Sequence, residues 1–322
     1  MDLMFSVFLL TLLVIAAIAI VRTTNLIVAI MLSGIFSLLM AANFFVLDAA
    51  DVALTEAAVG AGIATVLFLG ALALTGSQEK SGSRLKWLSL GVVAATTVML
   101  TYATFDKPTF GDPNAPVHQH VAPWYLDNTP VVVDIPNVVT AVLGTFRGYD
   151  TWGEVVVVFT AAIGVLLVLG PLVPTNAPSA IAGLRRHLIL RVVGRLLIPF
   201  ILLFGLYVQF HGEYGPGGGF QAGALIAAGI ILYALLEGEP KALAIVPPWL
   251  ITAMVVGGVT LYAGVGVVCM LLGGNFLDYS VLASNPVTGQ QVGIIAIEAG
   301  VGITVCGALL SIFHSFANRE TH

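Results

Sequence analysis

His211-Gly212-Glu213-Tyr214-Gly215-Pro216-Gly217-Gly218-Gly219-Phe220 separates two apolar runs, 196–210 and 219–236. Glycine at 212, 215, 217, 218 and 219, together with Pro216, cannot continue a helix, so the backbone turns or unwinds here. A polar hairpin would do so with fewer glycines. Two readings are open. One is a tight turn between membrane spans. The other is a backbone in special conformation, packed closely on its neighbours, that keeps His211, Glu213 and free peptide groups at a protein-lined, partly wet position.

Working outward from the break, apolar runs recur along the whole chain. Of its 322 residues 58% are hydrophobic and only 9% charged, and the mean hydropathy is +1.02. A soluble domain carries roughly a quarter charged residues. A span needs ~20 apolar residues. The runs read as nine spans, 3–21, 26–47, 55–75, 85–105, 153–172, 196–210, 219–237, 245–272 and 291–316. The expected fold is therefore an all-α, polytopic transmembrane helix bundle in the cell membrane. No cleavable signal is expected, because the first run begins at residue 3 with no basic segment before it.

Alternating sides place Arg22, Lys80, Arg84, Lys86, Arg185, Arg186, Arg191, Arg195, Lys241 and Arg319 on one face, ten of the twelve basic residues. The other face holds only Lys107 and Arg147 and receives every aspartate, from Asp2 to Asp278. Cytoplasmic loops carry the lysine and arginine excess, so the N-terminus is expected outside and the C-terminus in the cytoplasm.

The chain reads as composite: a three-span module over 1–76, a two-span module over 77–172 with an outer loop at 106–152, a cytoplasmic linker over 173–195, and a four-span domain over 196–322. No internal repeat stands out. In the outer loop, Pro136-Asn137 followed by Val138, Val139, Val142, Leu143 and Phe146 reads as a short amphipathic helix along the membrane surface. Tyr149 and Trp152 fit an interfacial aromatic belt. His118 and His120 have no carboxylate or cysteine nearby and read as solvated rather than metal-binding. Cys269 and Cys306 lie inside apolar runs and form no metal or disulfide pattern. No metal or cofactor is expected, no catalytic residue stands out, and no nucleic-acid partner is expected.

Four acids sit where charge is costly: Glu56 at the start of the third span, Glu154 at the start of the fifth, Glu298 about two turns into the ninth, and Glu213 in the break. An acid at mid-membrane costs roughly 2.5–3.5 kcal/mol by insertion scales. A partner, water or a proton must offset that cost, and such groups are the usual stepping stones of proton or sodium pathways. For Glu56 and Glu154 the plain alternative is a helix-start acid favoured by the dipole. Glu298 is flanked by Ala296, Ala299, Gly300 and Gly302, which leave room for a close helix or a water chain. Glu237 and Glu239, at a helix end, read as surface residues. No lysine falls inside a span, which suggests part of a pathway rather than an autonomous pump. Gly60 and Gly62, close after Glu56, could host a π-bulge. Glycines at 257, 258, 264, 266, 300, 302 and 307 allow close helix packing.

Three blocks resemble a known family. Asp51-Val52-Ala53-Leu54-Thr55-Glu56-Ala57-Ala58-Val59-Gly60 resembles the segment shared by the tail of the Mrp antiporter A subunit and the D subunit of membrane-bound hydrogenases. Asn137-Val138-Val139 through Phe146-Arg147-Gly148-Tyr149-Asp150-Thr151-Trp152-Gly153-Glu154 resembles the hydrogenase E subunit, with Trp152 where a smaller aliphatic residue is expected. The break, with Gly274-Asn275-Phe276-Leu277-Asp278-Tyr279 and Ile297-Glu298-Ala299-Gly300-Val301-Gly302, resembles the Mrp B subunit and the hydrogenase F subunit. The first five spans are also similar to the J subunit of respiratory complex I, where a π-bulge in the third helix is a family feature.

The resemblance implies a fused subunit of a multisubunit cation/proton antiporter exchanging Na⁺ for H⁺. It would be a transporter part rather than an enzyme, with large antiporter-like subunits as partners and lipid around it. Glu56, Glu154, Glu298, Glu213 and His211 are the candidate pathway residues, and Gly215, Pro216, Gly217, Gly218 and Gly219 the structural break. Two alternatives stand beside it: the ion-translocating arm of a redox-driven complex such as a membrane-bound hydrogenase, whose redox groups would lie in partner chains, and a purely structural scaffold.

Overall fold

The structure is a computed structural model that describes residues 2–75, 77–79, 86–109, 111–170 and 188–317. Lys80, Arg84, Arg185, Arg186, Arg319 and the expected linker up to residue 187 lie outside them. Among the described residues there are helices and no strands. In chain order they are α1 (Asp2–Arg22), α2 (Leu26–Val46) and α3 (Ala50–Thr55), which continues through a π-helical segment (Glu56–Ile63) into α4 (Ala64–Thr75). Then come α5 (Lys86–Thr104), a π-turn (Val117–Val121) leading into α6 (Ala122–Val132), α7 (Val138–Ala141) with a π-turn (Val142–Phe146), and α8 (Gly148–Leu169). The last part comprises α9 (Leu188–His211), α10 (Gly219–Glu237), α11 (Glu239–Ile245), α12 (Pro248–Leu271), a 3-10 turn (Tyr279–Leu282) and α13 (Pro286–Ala317).

Nine of the described helical stretches are long and apolar enough to cross a membrane, at the positions expected from hydropathy. The sixth is longer than its apolar run. α9 is already helical at Leu188, the first described residue after 170, and Arg191 and Arg195, expected in a linker, lie on the helix and pair with Glu237. The expected π-bulge is present at Glu56–Ile63.

The core is built from α10, α12 and α13. Ala222, Ala224, Ala227 and Ile231 of α10 are buried with Ile297, Leu310 and Phe313 of α13 and Ile251, Val255 and Tyr262 of α12. Glycine contacts set these distances. A methyl group on Gly258 of α12 would lie 2.6 Å from the Gly300 carbonyl of α13, so the two helices touch backbone to backbone. By contrast every side chain described on α5 is exposed, from Trp87 to Thr104. An apolar helix with no face buried by the described residues presents a surface suited to lipid or another subunit.

The outer segment differs from the sequence-based expectation. It holds a further helix, Val117–Val132, hidden from hydropathy because Pro123 and Pro130 fall inside it. The helix starting at Val138 forms as expected, but it is wedged into the protein as well as amphipathic. Thr140 and Ala141 are buried, and Val133, Ile135 and Ala141 cluster with Ile294 of α13. Gln291 of α13 donates to the carbonyls of Val133 and Asp134, both at 3.2 Å. His118 and His120 are exposed. Trp152 packs on Tyr262, ring centroids 5.5 Å apart, so it fills a helix contact, whereas Tyr149 is exposed.

Glu237 and Glu239 are not surface residues: they are 3% and 6% exposed. Glu237 collects Arg191, Arg195 and Lys241, and Glu239 lies 3.2 Å from Nδ1 of the fully buried His314. Local polarity suggested exposure; partners distant in sequence make burial tolerable.

Candidate functional site

The glycine-rich break is a compact turn with few bonds of its own. The N–H groups of Tyr214 and Gly215 donate to the His211 carbonyl at 2.9 and 3.0 Å, and Gly218 N–H donates to Val208 at 3.1 Å. Gly218 has φ +126°, a conformation side chains rarely adopt, and it starts α10. The carbonyls of Gly212 and Gly215 would be stranded in this turn. Asn137 satisfies them: its Nδ2 donates to Gly212 at 3.0 Å and Gly215 at 2.9 Å, and reaches Asp51 Oδ1 at 3.3 Å. Its Oδ1 accepts from the N–H groups of Val139 and Thr140, capping α7. Its own N–H donates to the Glu213 carbonyl at 3.0 Å, and Thr140 Oγ1 adds a 2.6 Å bond to Gly212. One asparagine thus ties three segments together: the start of α3, the outer helix and the break.

Asn137→Ala strands the Gly215 carbonyl and leaves that of Gly212 to Thr140 Oγ1 alone, at roughly 1–3 kcal/mol for such an orphaned group. The expected outcome is faster amide exchange or proteolysis across 133–146 and 212–218 in the assembled protein, with Asn137→Asp less damaging at the helix cap than at the carbonyls.

Beside this junction lies a cavity of about 740 Å³ between α3, α7, α8, the break and α13. Its polar side chains are those of Asp51, Thr55, Thr140, Thr151, Glu154, Gln221 and Glu298; the rest is glycine and apolar side chains, valine above all. No lysine or arginine lines it. Gln221 is held in place by donating to Thr55 Oγ1 at 2.7 Å. Glu298 reaches the break through missing side chains: a methyl group on Gly212 would lie 3.2 Å from its Oε2, and one on Gly218 3.4 Å from its Oε1. Asp51 and Glu154 share the cavity with Glu298, and Glu213 follows Gly212 in the break that Glu298 abuts. Three acids facing one largely apolar space without a base attract a cation or a proton.

The five candidate pathway residues therefore divide. Glu154 and Glu298 share the cavity, and Glu213 sits behind Glu298 across the break. Glu56, on the π segment, lies beside Gly60 and Ser37 and faces α2 instead. His211 stacks on Tyr207, centroids 4.7 Å apart, and lines a smaller cavity of about 480 Å³ with Phe45 and Pro216. Asp51, Thr55, Asn137, Thr140 and Gln221 were missed as site residues. Only Asn137 carried a local signal, an asparagine immediately before an apolar helical run.

Glu213 has Oε1 buried without a hydrogen-bond partner, and burial raises its carboxyl above the ordinary carboxylate range. The folded state thus holds its proton more tightly than the unfolded chain. Its contribution is fully present below the unfolded pKa of ~4.3 and is lost as pH rises through the higher folded value. Melting temperatures of the assembled protein across that window should fall with pH in the wild type, and Glu213→Gln should flatten the decline.

Family models match three successive stretches of the chain. Residues 11–77 match the MbhD family, the D subunit of MBH; residues 83–184 match the MbhE family, the E subunit of MBH; and residues 189–311 match a domain related to the MnhB subunit of the Na⁺/H⁺ antiporter. A curated relative, "Putative antiporter subunit mnhB2" of Staphylococcus aureus (strain Newman), is 29% identical over 136 residues, 41% of this chain and 96% of the relative. In the structure of the Mrp complex from Dietzia sp. DQ12-45-1b, one chain superposes with a TM-score of 0.77 at 26% identity. That match covers 98% of this chain, which spans 35% of the longer Dietzia chain. A chain of the membrane-bound sulfane sulfur reductase, an archaeal respiratory membrane complex, matches with a TM-score of 0.57 at 27% identity, over 73% of this chain and 99% of its own length. Three matched domains follow one another across nearly the whole chain and, with the Dietzia match, support a fused, multi-pass membrane subunit of the Mrp type.

Proposed function

We propose that this chain supplies the cation-attracting cavity of a multisubunit Na⁺/H⁺ antiporter, with Glu298 as its central carboxylate and Glu154 and Asp51 on its walls. The supporting observation is that acids from three different domains, separated by up to 247 positions between Asp51 and Glu298, converge on one space without a base. Glu213 exchanges its proton behind Glu298, and Glu56 serves a separate position facing α2. The chain is a transporter part rather than an enzyme, and it acts with large antiporter-like subunits that carry the broken helices and intramembrane lysines it lacks. The wholly exposed α5 suits such a neighbour. The N-terminus lies outside and the C-terminus in the cytoplasm, which puts the cavity towards the outer face and the Arg191–Glu237 cluster towards the inner one.

Similarity to a respiratory membrane complex favours a second reading, in which the same cavity works under a redox energy source. Purification of the tagged chain in mild detergent, with partner identification and an iron assay, separates the two. Large antiporter-like partners without iron, and Na⁺-driven pH change in vesicles, are expected. Iron–sulfur or nickel–iron partners would move the chain to the redox-driven class.

A further inference from the structure

At the end of α10 remote from the cavity, 18 residues and about 27 Å along the helix from Gly219, a second charged cluster has no part in the pathway. Glu237, 3% exposed, accepts both Nε and Nη2 of Arg191 at 3.0 Å, Nε of Arg195 at 2.5 Å and Nζ of Lys241 at 3.4 Å. Three cations share one carboxylate, so two positive charges are left over. Glu239, the next acid along the chain, is turned towards His314 and does not offset them.

The surplus sits on Arg195 and Lys241, whose side chains are 52% and 57% exposed. These two border a cleft of about 390 Å³ that is also lined by Tyr233, Ile198, Pro199 and the Glu237 carboxylate they are paired with. Its two ends differ in chemistry. One offers a guanidinium, an ammonium and the Tyr233 hydroxyl. The other is the apolar side formed by Ile198 and Pro199 of α9, a helix whose Leu197 and Phe200 are also exposed. A free phosphate would satisfy the donors and leave that wall wet. A ligand with an anionic head and a hydrocarbon tail satisfies both at the boundary of a span.

We propose that the cleft between α9 and α10 binds an anionic phospholipid, its phosphate on Arg195, Lys241 and Tyr233 and an acyl chain along Ile198 and Pro199. Arg191, bidentate on Glu237, holds that carboxylate in place and so keeps Arg195 and Lys241 fixed.

The test is lipid retention by the complete assembled complex, purified in mild detergent, delipidated and followed by native mass spectrometry. It compares wild type with Arg195→Gln/Lys241→Gln; Arg191 is kept so that Glu237 stays paired. Phosphatidylglycerol, phosphatidylcholine and inorganic phosphate are added in separate arms. Wild type should retain phosphatidylglycerol over phosphatidylcholine and melt higher with it, and inorganic phosphate should do neither. Each charge removed should weaken phosphatidylglycerol binding about fivefold. Equal retention by wild type and variant, no preference for the anionic lipid, or equal protection by inorganic phosphate overturns the proposal. Should the double variant fail to assemble, Lys241→Gln alone decides the matter: about fivefold weaker retention supports the site, and unchanged retention overturns it.

Discussion

Glu298→Gln should abolish Na⁺-dependent proton exchange in vesicles while leaving the complex assembled. Glutamine keeps the shape of the side chain and removes only its charge and its titration. Glu298 makes no hydrogen bond to another described side chain or peptide group, so the substitution orphans no partner and folding should be spared. The charge itself is central, because Glu298 projects from the most deeply packed helix into a cavity whose other acids are on separate elements. Loss of its share of cation stabilisation should slow exchange at least about tenfold, the equivalent of roughly 1.4 kcal/mol. Glu298→Asp keeps the charge one methylene further back and should recover part of the rate. Glu154→Gln, at an exposed cavity wall, should have a smaller effect. Glu56→Gln tests the separate position facing α2. Full transport by both Glu298→Gln and Glu154→Gln in an assembled complex would restore the scaffold reading.

Gly219→Ala/Gly223→Ala should have the largest structural effect, preventing the chain from accumulating in the assembled complex. A methyl group on Gly223 would meet the Gly302 carbonyl at 2.5 Å and Val305 Cβ at 3.0 Å. One on Gly219 would collide with the Glu298 carbonyl and lie 2.9 Å from Gly302 N. The obstacles are backbone atoms of α13, so no rotamer change relieves the clash and the helices must part. Overpacking costs typically 1–3 kcal/mol per site, and the two sites lie one turn apart on the same contact. Separation would also displace Glu298, since Gly219 touches its backbone. Gly264→Ala, with no atom within 4 Å, is the control and should leave the amount of complex unchanged. Quantifying the chain in membranes and in the purified complex distinguishes the two.

Much of the architecture was legible because hydropathy and glycine density are local signals. The number and order of the spans, the break at 212–219 and the π segment at Glu56–Ile63 match the sequence reading, although spans such as the third and sixth reach further towards the N-terminus than their apolar runs. The site was legible only in part. Glu154 and Glu298 could be suspected because a carboxylate inside an apolar run is costly on its own. Nothing local showed that they meet, or that His211 and Glu56 face elsewhere. Asn137 escaped because its helix-capping role was visible and its hold on the Gly212 and Gly215 carbonyls, 75 and 78 positions away, was not. Glu237 and Glu239 were misjudged for the same reason: apart from Lys241, their partners come from α9 and α13. The helix at Val117–Val132 was hidden by its prolines.

The central claim is that Glu298 faces a space that admits a cation. It can be tested by carbodiimide modification, which requires a protonated carboxyl and is displaced by a bound ion. The assembled complex would be treated in Na⁺ or in choline at the same ionic strength, and modification at Glu298 quantified by peptide mass spectrometry. Slower modification of Glu298 in Na⁺ than in choline is the expected result. Equal rates in the two salts would contradict a cation site at this carboxylate.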